Sequence, residues 1–219
     1  MRTLSKSVMT LGLAALLAAP VMAQQGRGGF GFGGQGGMAM LLSNASVQEE
    51  LKLDDAEKAK AREISEKARE KFTEAREELQ GLSQEERGPK MRELAREVEA
   101  SAMASAKEAF KPEQLKRLHQ ISLQVAGASA FEREPFQKRL GITDEQKTEI
   151  ASIIKASNEE IREIFQDAGD DRRAAMEKVR EQRKETLAKV EAKLTSEQKT
   201  KYAEALGDHF DIKYERRGQ

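Results

Sequence analysis

The sequence predicts an all-α fold made of two tandem four-helix units. One observation is a repeat, because residues 51–58 (LKLDDAEK) resemble residues 140–147 (LGITDEQK), 89 positions later. A second is composition, since 35% of the residues are charged and only 5% are aromatic. Such a composition suits long solvated helices with narrow apolar seams better than a thick globular core. We therefore expect a short, long, long, medium order of helices to occur twice, forming an elongated cradle or bundle.

The first 23 residues have the pattern of a cleaved signal peptide. Arg2 and Lys6 form a basic start, and the apolar run over 8–19 is too short to span a bilayer. We expect the mature chain to begin at Gln24 and to be periplasmic or secreted. Residues 24–42 are rich in glycine, which disfavours helices and offers little to pack, so they are expected to form a disordered leader.

Composition also excludes several classes of function. The chain has no cysteine, which excludes disulfides, thiolate metal sites and lipid attachment at cysteine. Without the signal, 36 basic residues face 38 acidic ones, and this balance disfavours nucleic acid as a partner. No segment after the signal is apolar enough to cross a bilayer, so we expect no stable membrane insertion.

Helix-capping pairs divide the remaining chain into elements. In each pair, an N-cap Asp, Ser or Thr is followed three residues later by Glu or Gln, and each side chain can bind the other residue's main-chain amide. The pairs are Asp54 with Glu57, Ser83 with Glu86, Thr143 with Gln146, and Thr195 with Gln198. After each cap, apolar residues recur every three or four positions, as in helices that bury one face.

The first unit is expected over residues 43–127. Its short helix covers about 45–53, and its two long helices follow the first two capping pairs. Pro112 then stands at the first position of a medium helix, where its missing N–H is tolerated.

The second unit, residues 128–207, is expected to follow the same plan, with its short helix over 131–140. The polar tail, residues 208–219, is expected to fray. Phe210, Ile212 and Tyr214 leave open the alternative that it docks back.

Four copies of a five-residue motif carry a resemblance to a known family. Each copy joins an apolar residue, a cap position and a Gln or Glu. The candidate motif residues are Leu53, Asp54, Glu57, Phe110, Pro112, Gln114, Ile142, Thr143, Gln146, Leu194, Thr195 and Gln198. Residues 194–198 (LTSEQ) match the pattern LTxxQ in full, 142–146 have Ile for Leu, 110–114 lack the Thr, and 53–57 substitute Asp and Glu. The chain thereby resembles the Spy/CpxP-type LTxxQ periplasmic proteins.

The resemblance implies a four-helix unit that pairs into a thin, curved cradle. Such proteins act as ATP-independent envelope chaperones, as inhibitory partners of stress sensors, or as metal-responsive stress proteins. Because two units are joined in one chain here, we expect the cradle to form internally, which slightly favours a monomer over a homodimer.

No enzymatic activity is expected, since no nucleophile, phosphate loop or dinucleotide fingerprint is present. The two histidines, His119 and His209, belong to no metal-binding pair on a helix, so no metal or cofactor site is expected. The preferred hypothesis is a chaperone-like or envelope-stress protein that binds unfolded or partly folded envelope proteins. The alternatives are a stress-sensor or metal-responsive accessory of the same fold that binds a sensor protein, and a structural helical spacer.

Overall fold

The computed structural model describes residues 37–169 and 171–214, leaving the side chain of Gln84 undescribed. These residues contain nine α-helices, one 3₁₀ helix and no strand, which confirms the all-α prediction. The helices are α1 Met38–Leu42, α2 Ala45–Glu50, α3 Asp55–Gly81, α4 Gln84–Ala109, α5 Pro112–Ala126, α6 Glu134–Leu140, α7 Asp144–Asp167, α8 Arg172–Glu191 and α9 Ser196–Leu206, with the 3₁₀ helix at Gly127–Glu132. All described residues belong to one compact unit. The predicted signal peptide and most of the predicted leader lie outside the described residues.

Helix α1 corrects the predicted end of the glycine-rich leader. The sequence assigns residues 24–42 to that leader, whereas Met38–Leu42 form a helix that packs against α3, α4 and α5. The Met38 amide donates to Glu99 Oε2 (2.9 Å), and the Ser65 hydroxyl donates to the Ala39 carbonyl (2.8 Å). The physical reason is local, because the run of glycines ends just before this helix and the next five residues are all apolar.

The start of the second half also differs from the prediction. The sequence places a short helix over 131–140, whereas the chain forms the 3₁₀ helix first and α6 only from Glu134. Pro135 is then the second residue of α6, where a missing N–H is tolerated. The 3₁₀ helix packs against α7, α8 and α5, and it lies 89 positions after α1, which packs against α3, α4 and α5. The structural repeat therefore begins before the repeated residues 51–58 and 140–147, at α1 and at the 3₁₀ helix.

Two antiparallel hairpins, α3 with α4 and α7 with α8, form the long parts of the molecule. The first apolar cluster gathers α1, α2 and the lower part of the first hairpin, and it reaches Ala68 on α3 and Val98 on α4. The second cluster reaches Ile154 on α7 and Val190 on α8. In the second cluster the ring of Phe131 packs 5.4 Å from that of Phe136, measured between centroids.

Each hairpin continues beyond the buried residues of its cluster as an arm. The first arm comprises residues 69–97 and the second arm residues 155–189. At 1.5 Å per residue, the 13 or so residues of α3 or α7 in an arm extend it by about 20 Å. Two packed helices bury only one stripe of each, so an arm leaves more apolar surface to solvent than the clusters do.

The tail adopts the docked alternative over its described residues. Phe210 and Ile212 pack against the first cluster. Asn44 Nδ2 donates to the Lys213 carbonyl (2.9 Å), which holds the far end of this segment. The polar residues on which the prediction of fraying depends, such as Asp211 between Phe210 and Ile212, are exposed.

Candidate functional site

The four motif copies begin helices in the way that the sequence predicts. Their first residues, Leu53, Phe110, Ile142 and Leu194, are all buried, and Pro112 is the first residue of α5. Asp54, Thr143 and Thr195 each accept a hydrogen bond from the amide three residues later, over 2.8 to 3.2 Å. At the second copy only half of this box exists. Gln114 Oε1 accepts from the Lys111 amide (2.7 Å), while the Lys111 ammonium has no lone pair with which to accept.

In the second half, the structure brings the last residues of two motif copies into direct contact. Gln146 and Gln198 form a reciprocal amide pair in which each Nε2 donates to the other Oε1 over 2.8 Å. The remaining protons go to main-chain carbonyls, from Gln146 to Lys193 and from Gln198 to Gly141, over 2.8 and 2.9 Å. The start of α7 is thereby tied to the start of α9.

In the first half, a carboxylate takes the place of one of these amides. Gln114 Nε2 donates to Glu57 Oε2 (2.9 Å), and Lys111 Nζ lies 3.5 Å from Glu57 Oε1. Glu57 is buried, and its pKa is lowered chiefly by the hydrogen bond from the Asp54 amide, then by Gln114 and by the charge of Lys111. The lysine that replaces the capping threonine therefore compensates the charge that replaces a glutamine.

The motif residues have a structural role. Across the described residues, every buried side-chain nitrogen or oxygen has a hydrogen-bond partner. The amides and carboxylate of the motif are engaged with one another and with main-chain groups, which leaves them no aimed, unpaired group to recognise a ligand. The candidate binding surface must therefore lie elsewhere.

The second arm carries the more exposed apolar surface. Phe165, near the end of α7, and Met176, near the start of α8, are 48% and 44% exposed. Ile161 and Ile164 beside them are half-buried. In the first arm, by contrast, the large apolar side chain of Phe72 packs against the first cluster. The sequence gives a partial indication of this difference, because Phe165 lies off the apolar stripe that Ile150 and Ile154 define. Spacing alone does not predict whether its side chain is exposed.

An acidic groove of about 460 Å³ lies on the same arm, with Ile164 but neither Phe165 nor Met176 among its lining residues. Its carboxylates are Glu160, Glu163, Asp167 and Asp171, and Lys178 is the single basic residue among its lining residues. Apolar side chains beside carboxylates can accept a segment that carries both apolar and basic residues. A second shallow groove, of about 500 Å³, lies lower on the same hairpin beside the hydroxyls of Ser157 and Thr186, which are 2.6 Å apart.

Comparison of the chain with known protein families, curated proteins and solved structures finds no match. The resemblance to LTxxQ proteins therefore rests on the motif residues. Within residues 37–169 and 171–214, no group of three or more His, Asp or Glu side chains is arranged to hold a metal ion. None of the helices in this part of the chain combines the length and the apolar character needed to cross a bilayer.

Proposed function

We propose that this protein is an exported, ATP-independent, chaperone-like or envelope-stress protein that binds unfolded or partly folded segments of envelope proteins. The observation that carries the proposal is the exposed pair Phe165 and Met176 at the end of the second arm. Export is supported by the signal-like pattern of residues 1–23, and the class of function by the LTxxQ-like motifs.

The exposed pair supports weak and reversible binding. Fully burying a Phe or Met side chain stabilises by about 1.5 to 3 kcal/mol, and roughly half of each side chain is already covered. Covering the rest of both side chains is therefore worth on the order of 2 kcal/mol. Adaptable Met contacts suit many different sequences, and the acidic groove adds attraction for basic residues that weakens as salt rises.

The test is suppression of aggregation of a chemically unfolded client, without ATP, followed by light scattering. We expect the mature protein to suppress aggregation and to bind the folded client weakly. Phe165→Ala with Met176→Ala should reduce the suppression several-fold. The matched control, Gln166→Ala with Glu177→Ala, changes exposed polar neighbours on the same arm and should leave suppression unchanged.

Two outcomes would overturn the proposal. If the protein binds folded and unfolded client equally, or binds neither of them, the sensor-binding accessory or the helical spacer is favoured. Equal loss of suppression in both double variants would show that Phe165 and Met176 are not the contact surface.

A further inference from the structure

The described end of the chain forms a strap, residues 208–214, that contains neither helix nor strand and is held against the first half. Its apolar residues alternate, with Phe210 and Ile212 packed against the first cluster. The guanidinium carbon of Arg117 lies 5.9 Å from the centroid of the Phe210 ring. These two side chains, two positions apart, therefore anchor the side of the strap that faces the first half.

Polar side chains of the first half bind the strap through its main chain. Gln124 Oε1 accepts from the Phe210 amide (3.0 Å), while Gln124 Nε2 donates to the carbonyls of Leu206 and Asp208 (both 2.8 Å). Arg117 Nη1 donates to the same Asp208 carbonyl over 2.8 Å.

The far end of the strap is held in the same manner. Asn44 Nδ2 donates to the Lys213 carbonyl (2.9 Å), and the Lys213 amide donates to Ser46 Oγ (3.1 Å). None of these contacts depends on which side chain the strap carries at those positions. The hydrogen bonds thus reach the backbone of the strap, and Phe210 and Ile212 supply its apolar contacts.

We propose that the surface on which the strap lies, formed by Asn44, Ser46, Arg117 and Gln124 and called the groove below, is a binding site for an extended peptide with apolar side chains at alternate positions. The strap is its resident occupant. Main-chain hydrogen bonds supply affinity and pockets for alternate side chains supply specificity, as in other sites for extended peptides. The inference rests on the proposed function, since an unfolded client would supply the competing segment, and it adds a second contact surface to the second arm.

The strap has the properties of a replaceable occupant. Asp208, His209, Asp211, Lys213 and Tyr214 are exposed, so its hold depends on two half-buried anchors and on hydrogen bonds that any backbone can make. Its tether to α9 gives it an effective concentration on the order of millimolar, which a free peptide must overcome. A peptide of micromolar intrinsic affinity would therefore bind at least about tenfold more tightly once the strap is displaced.

Gly207 offers a way to displace the strap without substituting a residue of the groove. Its φ of +59° and ψ of −158° turn the chain from α9 into the strap, in a region that only glycine visits readily. A Cβ at this position would also overlap the side-chain amide of Gln120 on α5. Gly207→Ala should therefore redirect the residues that follow it. The matched control is Gly88→Ala, which adds the same methyl group within α4, where it meets only the flexible end of Arg92.

The experiment measures fluorescence anisotropy of a labelled peptide with the strap sequence, DHFDIKY, on the full-length mature protein. We expect weak binding to the native chain and to Gly88→Ala, and binding at least tenfold tighter to Gly207→Ala. Adding Gln124→Ala to Gly207→Ala should weaken binding again. A peptide with Ala at the Phe and Ile positions should not bind. Equal affinity for the native chain and Gly207→Ala, or equal binding of the two peptides, would overturn the inference.

A second variant guards against misfolding of Gly207→Ala, which circular dichroism would reveal. Phe210→Ala with Ile212→Ala weakens the strap through its anchors and should give the same gain in peptide affinity. Absence of that gain in a folded protein would also overturn the inference. The outcomes separate the two proposals. Peptide binding without suppression of aggregation would refute the proposed function alone, and suppression without peptide binding would refute the groove alone.

Discussion

Replacing Glu57 by Gln would convert the motif pair of the first half into that of the second. Glu57 and Gln114 correspond to Gln146 and Gln198, which form a reciprocal amide pair at 2.8 Å. In the variant, the new amide can accept from the Asp54 amide and donate to Gln114 Oε1, as Gln146 does with its own partners. Only the contact with Lys111 would be lost.

The expected cost at neutral pH is small. The Lys111 side chain is 60% exposed and its ammonium lies 3.5 Å from the carboxylate, so the pair is worth less than about 1 kcal/mol. Glu57→Ala is the contrasting variant, because it removes the acceptor for the Asp54 amide and for the Gln114 amide. Leaving these buried donors unpaired should cost about 2 to 3 kcal/mol of unfolding free energy.

The pH dependence supplies a second, independent readout. Because the pKa of Glu57 is lowered in the folded state, the unfolded chain takes up the proton first as pH falls. The stabilisation is fully present above the ordinary pKa of 4.5 and is lost as pH falls through the folded value. Gln cannot titrate, so the variant should gain stability relative to the native chain as pH falls below 4.5.

Urea unfolding followed by circular dichroism, at neutral and at acidic pH, measures both effects. Glu57→Gln should stay close to the native chain at neutral pH and gain on it in acid, while Glu57→Ala should be destabilised at neutral pH. Two results would refute the reasoning. One is a Gln variant as destabilised as the Ala variant at neutral pH. The other is a difference between native and Gln proteins that does not change with pH.

Two further predictions concern the repeat. Lys52 has a φ of +53° at the position that corresponds to Gly141, whose φ is +69°. Lys52→Gly should therefore raise the unfolding free energy by about 0.5 kcal/mol, since relief of left-handed strain exceeds the entropy cost of glycine. Gly141→Ala should lower it by about 1 kcal/mol. Urea unfolding that shows neither change would contradict the correspondence of these two positions. The mature protein should be a monomer at micromolar concentration in light scattering, because α5 and α9 already pack together within one chain; a stable dimer would show that the halves also pair between chains.

Sequence reasoning recovers the elements that have local signals. All four predicted capping pairs form, and Thr195 and Gln198 bind each other's amides as their spacing of three residues requires. A cap is decided within one turn of helix, so residue types at fixed offsets suffice to locate it. The helices α3, α7 and α9 consequently begin where the motif places them.

The contacts between motif copies depend on tertiary structure and have no comparable signal. Gln114 and Glu57 are 57 positions apart, and only the closing of the first hairpin brings their side chains to 2.9 Å. The mixed pair of Glu with Gln does carry a trace in the sequence, because Lys111 replaces the threonine of the full motif next to the one carboxylate. The sequence alone does not identify this charge compensation, because it depends on the contact between the two motif copies.

Composition misleads where a few residues depart from their neighbourhood. Met38 follows a stretch dominated by glycine, yet it is almost fully buried because α3 and α4 provide a surface for it. Phe210 and Ile212 lie in a polar tail, and their alternation is the only local sign that one face of that tail is covered. In both cases segment averages hide the residues that decide packing, and tertiary contact overrides local propensity.

Helix α5 shows why two sequence repeats need not behave as two separable domains. Leu118 and Ile121 belong to the first apolar cluster, whereas Leu123, on the same helix, belongs to the second. Gln124 then binds the strap that returns from the far end of the chain. Cutting the chain after α5 would leave Leu123 and the strap groove uncovered, and cutting before it would remove two residues from the first cluster. The shared helix thus couples the halves in stability, so displacement of the strap acts on a helix that both clusters use.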